Sequence, residues 1–209
     1  ENLHSPSASP VQPTRIPRIP PTDPSRQLVS YALTAYLVAP AGLQSFWGGG
    51  NLATFSEELA DELEELNLLM EDLGIPPSVT ATAILQDIAD GIIRHGDTAA
   101  FAYGSVYEHL CALFGDRVDP EDEGDGFGYA LQYLEPIEPL YSAFIPIPFS
   151  DDFPHIASYA PNELAEARAR LTRATPHQDP DANALLSRQL GALFDQAEAE
   201  QTGVVLFNY

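Results

Sequence analysis

The chain has 209 residues, in which 31 acidic side chains oppose nine arginines and no lysine, so the formal charge is −22. A negative field of this size repels nucleic acid and anionic membranes and attracts basic protein surfaces. The lack of lysine excludes a Walker A phosphate site and a Schiff-base enzyme, and the single cysteine, Cys111, excludes an intrachain disulfide.

Residues 1–26 are predicted to be an extended or disordered tail. Seven prolines among serines and threonines prevent a helix from propagating. Three of the nine arginines lie here, and residues 15–20 repeat Arg-Ile-Pro twice. This tail is a docking peptide, an arm that lies back on the acidic domain, or an inert linker. Residues 27–209, which can bury one sizeable core, are predicted to be a single acidic domain.

The domain begins with an apolar segment, residues 28–38, whose aromatic and β-branched residues predict a strand. Thr54 and Glu57 form a predicted capping box for the first helix. Apolar residues then recur at four- and three-residue steps and predict the buried stripe of this helix. They are Leu59, Leu63, Leu66, Met70 and Leu73. Acidic residues occupy the other faces of the helix, and the stretch contains no base.

Further helices are predicted in chain order. Ser78 is the predicted cap of a second helix, which Gly96 closes, and a third begins near Thr98. The core-facing residues of the second helix are predicted to be Ile84, Leu85, Ile88 and Ile92. Those of the third are predicted to be Tyr103, Val106, Tyr107, Leu110, Cys111 and Phe114. Residues 116–128 predict an acidic loop, and residues 129–144 a broken helix.

The last part of the chain predicts helices that start at Pro161 and Pro180, followed by a strand at residues 203–209. Strands at both ends of a helical chain can pair with each other. We therefore expect an α+β fold in which five to six helices pack on one face of a small sheet.

Two segments resemble a known family: the Asp-Asp-Phe-Pro sequence at residues 151–154 and the aromatic end at residues 205–209. Together with residues 30–33, 101–104 and 108–111, they are similar to an uncharacterised bacterial domain family found mainly in actinobacteria and other high-GC bacteria. The resemblance covers about residues 28–209. It implies domain extent, bacterial origin and a cytoplasmic location, and it carries no catalytic role or cofactor.

One hypothesis for function is a small enzyme or ligand-binding domain. Asp151, Asp152 and His155 could form an acid–base pair in a cleft, with His109 as a further candidate. Tyr103 and Glu108 could also contribute to such a cleft. Residues 119–124 match only the first positions of a calcium-binding loop, and the glutamate of its last position is absent. We therefore expect no metal site and no cofactor.

The favoured hypothesis is a non-catalytic acidic module that binds a basic protein partner, by analogy with immunity proteins and nucleic-acid mimics. Its surface is predicted to comprise Glu57, Glu58, Asp61, Glu62, Glu64, Glu65, Asp119, Glu121, Asp122, Glu123 and Asp125. Direct contact with nucleic acid or with a membrane is not expected, because the charge is negative and no run of residues is long and apolar enough to span a bilayer.

Overall fold

The computed structural model describes residues 33–50, 52–118, 142–148, 150, 154–173 and 180–209. The strands in this part of the chain are β1 (Leu33–Val38), β2 (Gly115–Val118), β3 (His155–Tyr159) and β4 (Gly203–Asn208). The helices are α1 (Pro40–Phe46), α2 (Leu52–Glu58), α3 (Ala60–Asp72), α4 (Ala81–Asp90), α5 (Gly96–Phe114), α6 (Leu164–Arg173) and α7 (Pro180–Glu200).

The four strands form one antiparallel sheet in the order β2-β1-β4-β3. The predicted pairing of the two terminal strands is confirmed, with a register that runs from Leu33 opposite Asn208 to Val38 opposite Gly203. Residues 116–118 were expected in a loop. That expectation is wrong, because they form β2, which pairs with the free edge of β1.

Helices cover both faces of the sheet. Tyr36 and Phe207 point into the core shared with α1–α5, whereas the alternate residues Leu37 and Leu206 pack against α6 and α7. The α+β class is confirmed, but the expectation that helices cover one face is wrong. The reason is visible in β1 and β4, which are apolar at successive positions, a pattern typical of strands buried on both sides.

Several predicted helix ends are corrected. Thr54 lies inside α2, and the chain breaks at Leu59 before α3 begins, so the predicted capping box does not form. The cap of α4 is Thr80 instead of Ser78, and its hydroxyl oxygen accepts a hydrogen bond from the Ala83 N–H at 3.1 Å. Gly91 ends α4 in a left-handed conformation, with φ of 70°.

These earlier ends change which apolar residues are buried. Because α4 stops at residue 90, Ile92 is 48% exposed instead of core-facing. Leu73, at the cap that follows α3, is 60% exposed for the same reason. The predicted Leu59, Leu63, Leu66 and Met70 are all buried, so the acidic side of α3 turns outward. Among the described residues, no helix has the length and apolar character needed to cross a membrane.

Candidate functional site

The acidic residues predicted from the α2–α3 region lie on the outside of the domain. Glu57 and Glu58 are exposed at the end of α2, and Glu62 is half-buried at the start of α3. The rest of α3 presents what we call the acidic face, defined by its exposed residues. These are Asp61, Glu64, Glu65, Leu68, Leu69, Glu71 and Asp72.

Buried contacts hold the acidic face in its orientation. Leu63, Leu66 and Met70 anchor α3 in the main core. The side-chain oxygen of Asn67 accepts a hydrogen bond of 2.8 Å from the Ala81 N–H at the start of α4. Positions four, seven and eleven residues after Asp61 share its side of a helix, so the most outward line contains three carboxylates and one leucine.

Three arginines of the described residues form ion pairs away from the acidic face. Arg94 pairs with Asp87 and Asp90, while Arg168 pairs with Asp195. Arg170 pairs with Glu166. Within the described ranges, no arginine forms an ion pair with Glu57, Glu58 or any acid of α3. Among the described residues, therefore, no ion pair with an arginine neutralises the acidic face.

His109, one of the alternative catalytic candidates, lies behind the acidic face. Burial lowers the pKa of its imidazole, while the carboxylates of Glu62 and Glu65 act in the opposite direction. The ring is therefore a half-buried side chain between α5 and α3, with the neutral form favoured by burial. His155, another of the candidates, lies on β3 opposite Asn208.

The acidic face also contains an apolar patch that the sequence analysis missed. Leu68 is 60% exposed and Leu69 is 48% exposed, and Leu73 follows them at the end of the helix. Large apolar side chains grouped among polar ones mark interaction sites more often than isolated ones do. The available signal was that Leu68 and Leu69 fall outside the three- and four-residue stripe of this helix.

The last turn of α3 is electrostatically unfavourable. Glu71 and Asp72 lie there, with no basic residue in that turn, although the C-terminal end of a helix dipole favours cations. Each misplaced carboxylate costs roughly 0.3 to 1 kcal/mol. Violations of a local rule of this kind tend to occur at functional sites.

A second polar cluster joins α4 to α5 and was not predicted. Asp87, only 1% exposed, accepts hydrogen bonds from the Arg94 backbone N–H at 2.9 Å and the Arg94 guanidinium at 2.7 Å. The Tyr103 hydroxyl also donates to Asp87, and Nδ1 of His95 lies 2.9 Å from it. Burial alone would raise the pKa of Asp87, but these hydrogen bonds together hold it below its usual value.

The Asp87 cluster also places a carboxylate against the imidazole of His95, the residue that precedes α5. A carboxylate that fixes an imidazole can prepare it for acid–base work. Tyr103 stays protonated, since burial and then Asp87 raise its pKa to about 12. The cluster closes the turn after Gly91, and a structural role accounts for all of these contacts.

A third cluster surrounds Glu108 on the sheet side of α5. The hydroxyl of Tyr36 donates to its carboxylate at 3.1 Å, and the hydroxyl of Tyr209 donates to the other oxygen. Burial raises the pKa of Glu108, although the bond from Tyr36 and the charge of Arg117 act in the opposite direction. Neither Glu108 nor Tyr103 lines either of the two pockets described next.

Two pockets are lined in part by residues of the described segment 142–148. One, of about 270 Å³, is lined mainly by apolar residues and lies between α5 and the described residues 142–148, 150, 154 and 156. Its lining includes Phe101, Gly104, Ile145, Ile147, Pro154 and Ile156. The other, of about 530 Å³, has charged side chains in its wall, including Glu163, Glu166 and Arg170. Ser150 and Pro154 border the first pocket and flank residues 151–153 in sequence.

Some predicted residues lie outside the described residues. These are Asp119, Glu121, Asp122, Glu123, Asp125, Asp151 and Asp152, together with the incomplete calcium loop. In the described part, no group of three or more histidine, cysteine or carboxylate side chains is arranged to hold a metal ion. Cys111 is fully buried, as predicted, and burial raises the pKa of its thiol.

Comparison with known proteins identifies a family. The model of a family described as a domain of unknown function, DUF7691, matches residues 29–209. This extent agrees with the predicted domain resemblance, which starts at about residue 28. No curated protein and no solved structure matches the chain.

Proposed function

The chain belongs to the family of the domain of unknown function DUF7691, and we propose that it is a non-catalytic acidic module that binds a basic surface of a protein partner. The observation that carries this proposal is the acidic face of α3, whose carboxylates are exposed and have no arginine partner among the described residues. Such a face raises the rate at which a basic partner arrives.

The apolar patch supports binding over simple solubility. A surface that serves only solubility needs charge, and exposed leucines work against it. A binding surface combines an apolar centre with a polar rim, and Leu68, Leu69 and Leu73 lie among the acids in this way. The acids would speed association, and the leucines would slow dissociation.

The unfavourable last turn of α3 supports the same conclusion. Glu71 and Asp72 weaken their own helix, since no base compensates them. A partner that brings arginine or lysine to this turn would supply the missing cation. The stability lost in the free domain would then be recovered in the complex.

The test compares two variants of equal net charge. Asp61→Asn, Glu65→Gln and Asp72→Asn together neutralise the acidic face. Asp97→Asn, Glu198→Gln and Glu200→Gln neutralise three exposed acids on α5 and α7. Association with lysozyme, ribonuclease A and cytochrome c, three basic proteins of unrelated folds, is followed by stopped-flow or surface-based kinetics.

We expect the acidic-face variant to associate with a basic probe roughly five- to tenfold more slowly at low salt, and the control variant to change less than about twofold. Equal losses in both variants would mean that only the net charge matters, which would contradict a defined site. Absence of binding at low salt to all three probes would also contradict the proposal.

The leucines have their own test. Leu68→Ser with Leu73→Ser should increase the dissociation rate of the probe and leave its association rate unchanged. The matched control is Ile92→Ser with Ile93→Ser, which removes exposed apolar side chains that follow α4. If both pairs of substitutions have the same effect on dissociation, the patch on α3 is not part of the interface.

A second candidate function is a ligand-binding or enzymatic pocket near Asp151, Asp152 and His155. The apolar pocket of about 270 Å³, which Ser150 and Pro154 border, favours it. Its test uses Nile red, an uncharged apolar fluorophore that the negative field does not repel. We expect saturable fluorescence that Ala100→Phe abolishes by filling the pocket, whereas undiminished binding to that variant would contradict this candidate.

Bacterial origin and a cytoplasmic location complete the proposal. A basic complement made only of arginine fits a GC-rich genome, and a single cysteine fits a reducing compartment. Cell fractionation provides the check, because recovery of the native protein outside the cytoplasm would contradict the location.

A further inference from the structure

The acidic face has a chemical counterpart within the chain itself. A ligand for this face needs cations for the carboxylates and apolar side chains for Leu68 and Leu69. Residues 15–20, with the sequence Arg-Ile-Pro-Arg-Ile-Pro, provide two arginines and two isoleucines. They lie outside the residues that match the family, which begin at residue 29.

The spacing of the repeat fits the spacing of α3. A proline-rich chain favours three residues per turn with a rise of about 3.1 Å, which would place Arg15 and Arg18 on one side, about 9 Å apart. Glu65 and Asp72 are two helical turns apart, or about 10 Å along α3. Leu68 lies between them, where an isoleucine of the repeat could pack.

The repeat can also reach the face. Leu33, at the start of β1, lies fifteen positions after Arg18, and an extended chain of that length spans up to about 50 Å. A domain of the size of residues 29–209 is roughly 40 Å across. Attachment through such a linker gives an effective concentration on the order of millimolar, so even a weak contact would be populated.

We propose that the Arg-Ile-Pro repeat at residues 15–20 binds the acidic face of α3 within the same chain and competes there with the basic partner. This inference rests on the proposed function, since it assigns regulation to the same surface. The chain then carries its own weak competitor, and a partner must displace it. Salt weakens both contacts, because both depend on exposed charges.

The test places a nitroxide next to the repeat in the whole chain. Thr14→Cys is labelled, while the fully buried Cys111 is protected in the native state. Amide signals of the ¹⁵N-labelled chain then report which residues come close to the label. We expect broadening along α3 at about 50 mM salt and its loss at about 500 mM.

Two variants that each remove one positive charge test whether the repeat makes the contact with α3. Arg18→Gln should reduce the broadening on α3, whereas Arg26→Gln, which lies in the same segment outside the repeat, should not. Broadening that is spread over the whole domain, or that is equal in the two variants, overturns the proposal. If a labelled chain broadens α3 in a separate ¹⁵N-labelled chain, the occupant is the repeat of a second copy, and the intramolecular contact is wrong.

A binding measurement separates this inference from the proposed function. The double variant Arg15→Gln, Arg18→Gln should bind lysozyme about two- to tenfold more tightly, because an internal competitor is removed. Unchanged or weaker binding by this variant contradicts the competition. Suppose that the arginine variant does not bind more tightly. If the variant neutralised at Asp61, Glu65 and Asp72 still associates with lysozyme more slowly, the acidic face binds lysozyme and only the competition is wrong. If its association rate is unchanged, the acidic face is not the binding surface.

Discussion

Replacing Asp87 by alanine should destabilise the domain strongly. This carboxylate is 1% exposed and accepts hydrogen bonds from the Arg94 backbone N–H, from Tyr103 and from the ring of His95. Each donor left without a buried partner costs roughly 1 to 1.5 kcal/mol, so three give about 3 to 4.5 kcal/mol. That is a large part of the 5 to 15 kcal/mol that stabilises a typical domain.

Urea unfolding followed by circular dichroism measures this loss. With a slope of about 2 kcal/mol per molar urea, the transition midpoint should fall by roughly 1.5 to 2 M. Asp87→Asn preserves the shape of the side chain but turns amide hydrogens toward the donors, so it should also destabilise. Because asparagine fills the same space as aspartate, a loss of stability in this second variant comes from the hydrogen bonds and not from a cavity.

The matched control is Asp90→Ala, three residues further along α4. Asp90 accepts a 2.8 Å hydrogen bond from the same Arg94 side chain, but it is exposed to solvent. Its removal should leave the unfolding midpoint nearly unchanged. Equal effects of the two substitutions, or a loss below about 1 kcal/mol for Asp87→Ala, would refute the reasoning that burial decides the value of these hydrogen bonds.

Three further predictions concern backbone strain, pH and α3 itself. Gly91→Ala should cost about 1 to 3 kcal/mol in urea unfolding, because φ is 70° and the new Cβ would lie 2.9 Å from Gly48 Cα; a loss under about 0.5 kcal/mol would contradict this. Burial raises the pKa of the Glu108 carboxyl group. The stability that this group contributes is therefore present below its pKa in the unfolded chain and is lost as the pH rises through its pKa in the folded domain. Glu108→Gln should therefore gain stability relative to the unmodified chain between about pH 4 and pH 7 in urea titrations, and a difference independent of pH would refute this. Glu71→Gln with Asp72→Asn should stabilise the domain by about 0.6 to 2 kcal/mol and yet weaken binding to a basic probe, and unchanged binding by this variant would contradict a functional role for these acids.

The orientation of α3 could be predicted from the sequence, because its apolar residues recur at helical spacing. Leu59, Leu63, Leu66 and Met70 are buried as expected, and the acids between them are consequently outside. The prediction for Leu73 failed, since periodicity does not show where the last turn ends. The same limit produced the error at Ile92.

The sheet was predictable only in part. Two apolar strands at the ends of a helical chain indicated their own pairing, which the β1–β4 register confirms. The edge strands β2 and β3 are short and carry polar residues, so their sequences resemble loops. The second helical layer was missed, although successive apolar residues in β4 already indicated burial on both faces.

The Asp87 cluster shows what sequence spacing cannot reveal. Its partners Arg94, His95 and Tyr103 are seven to sixteen residues away, and they meet only because Gly91 reverses the chain after α4. One signal was available. Asp87 lies between Ile84 and Ile88 on the buried side of α4, where a carboxylate requires hydrogen-bond partners.

The salt dependence of association is the most direct test of the central claim, that an uncompensated acidic face on α3 is the binding surface. The association rate of a basic probe is measured from about 20 to 300 mM salt for the unmodified chain and for the variant neutralised at Asp61, Glu65 and Asp72. We predict a steep decrease with salt for the unmodified chain and a clearly shallower one for the variant. Parallel slopes for the two proteins would contradict the account.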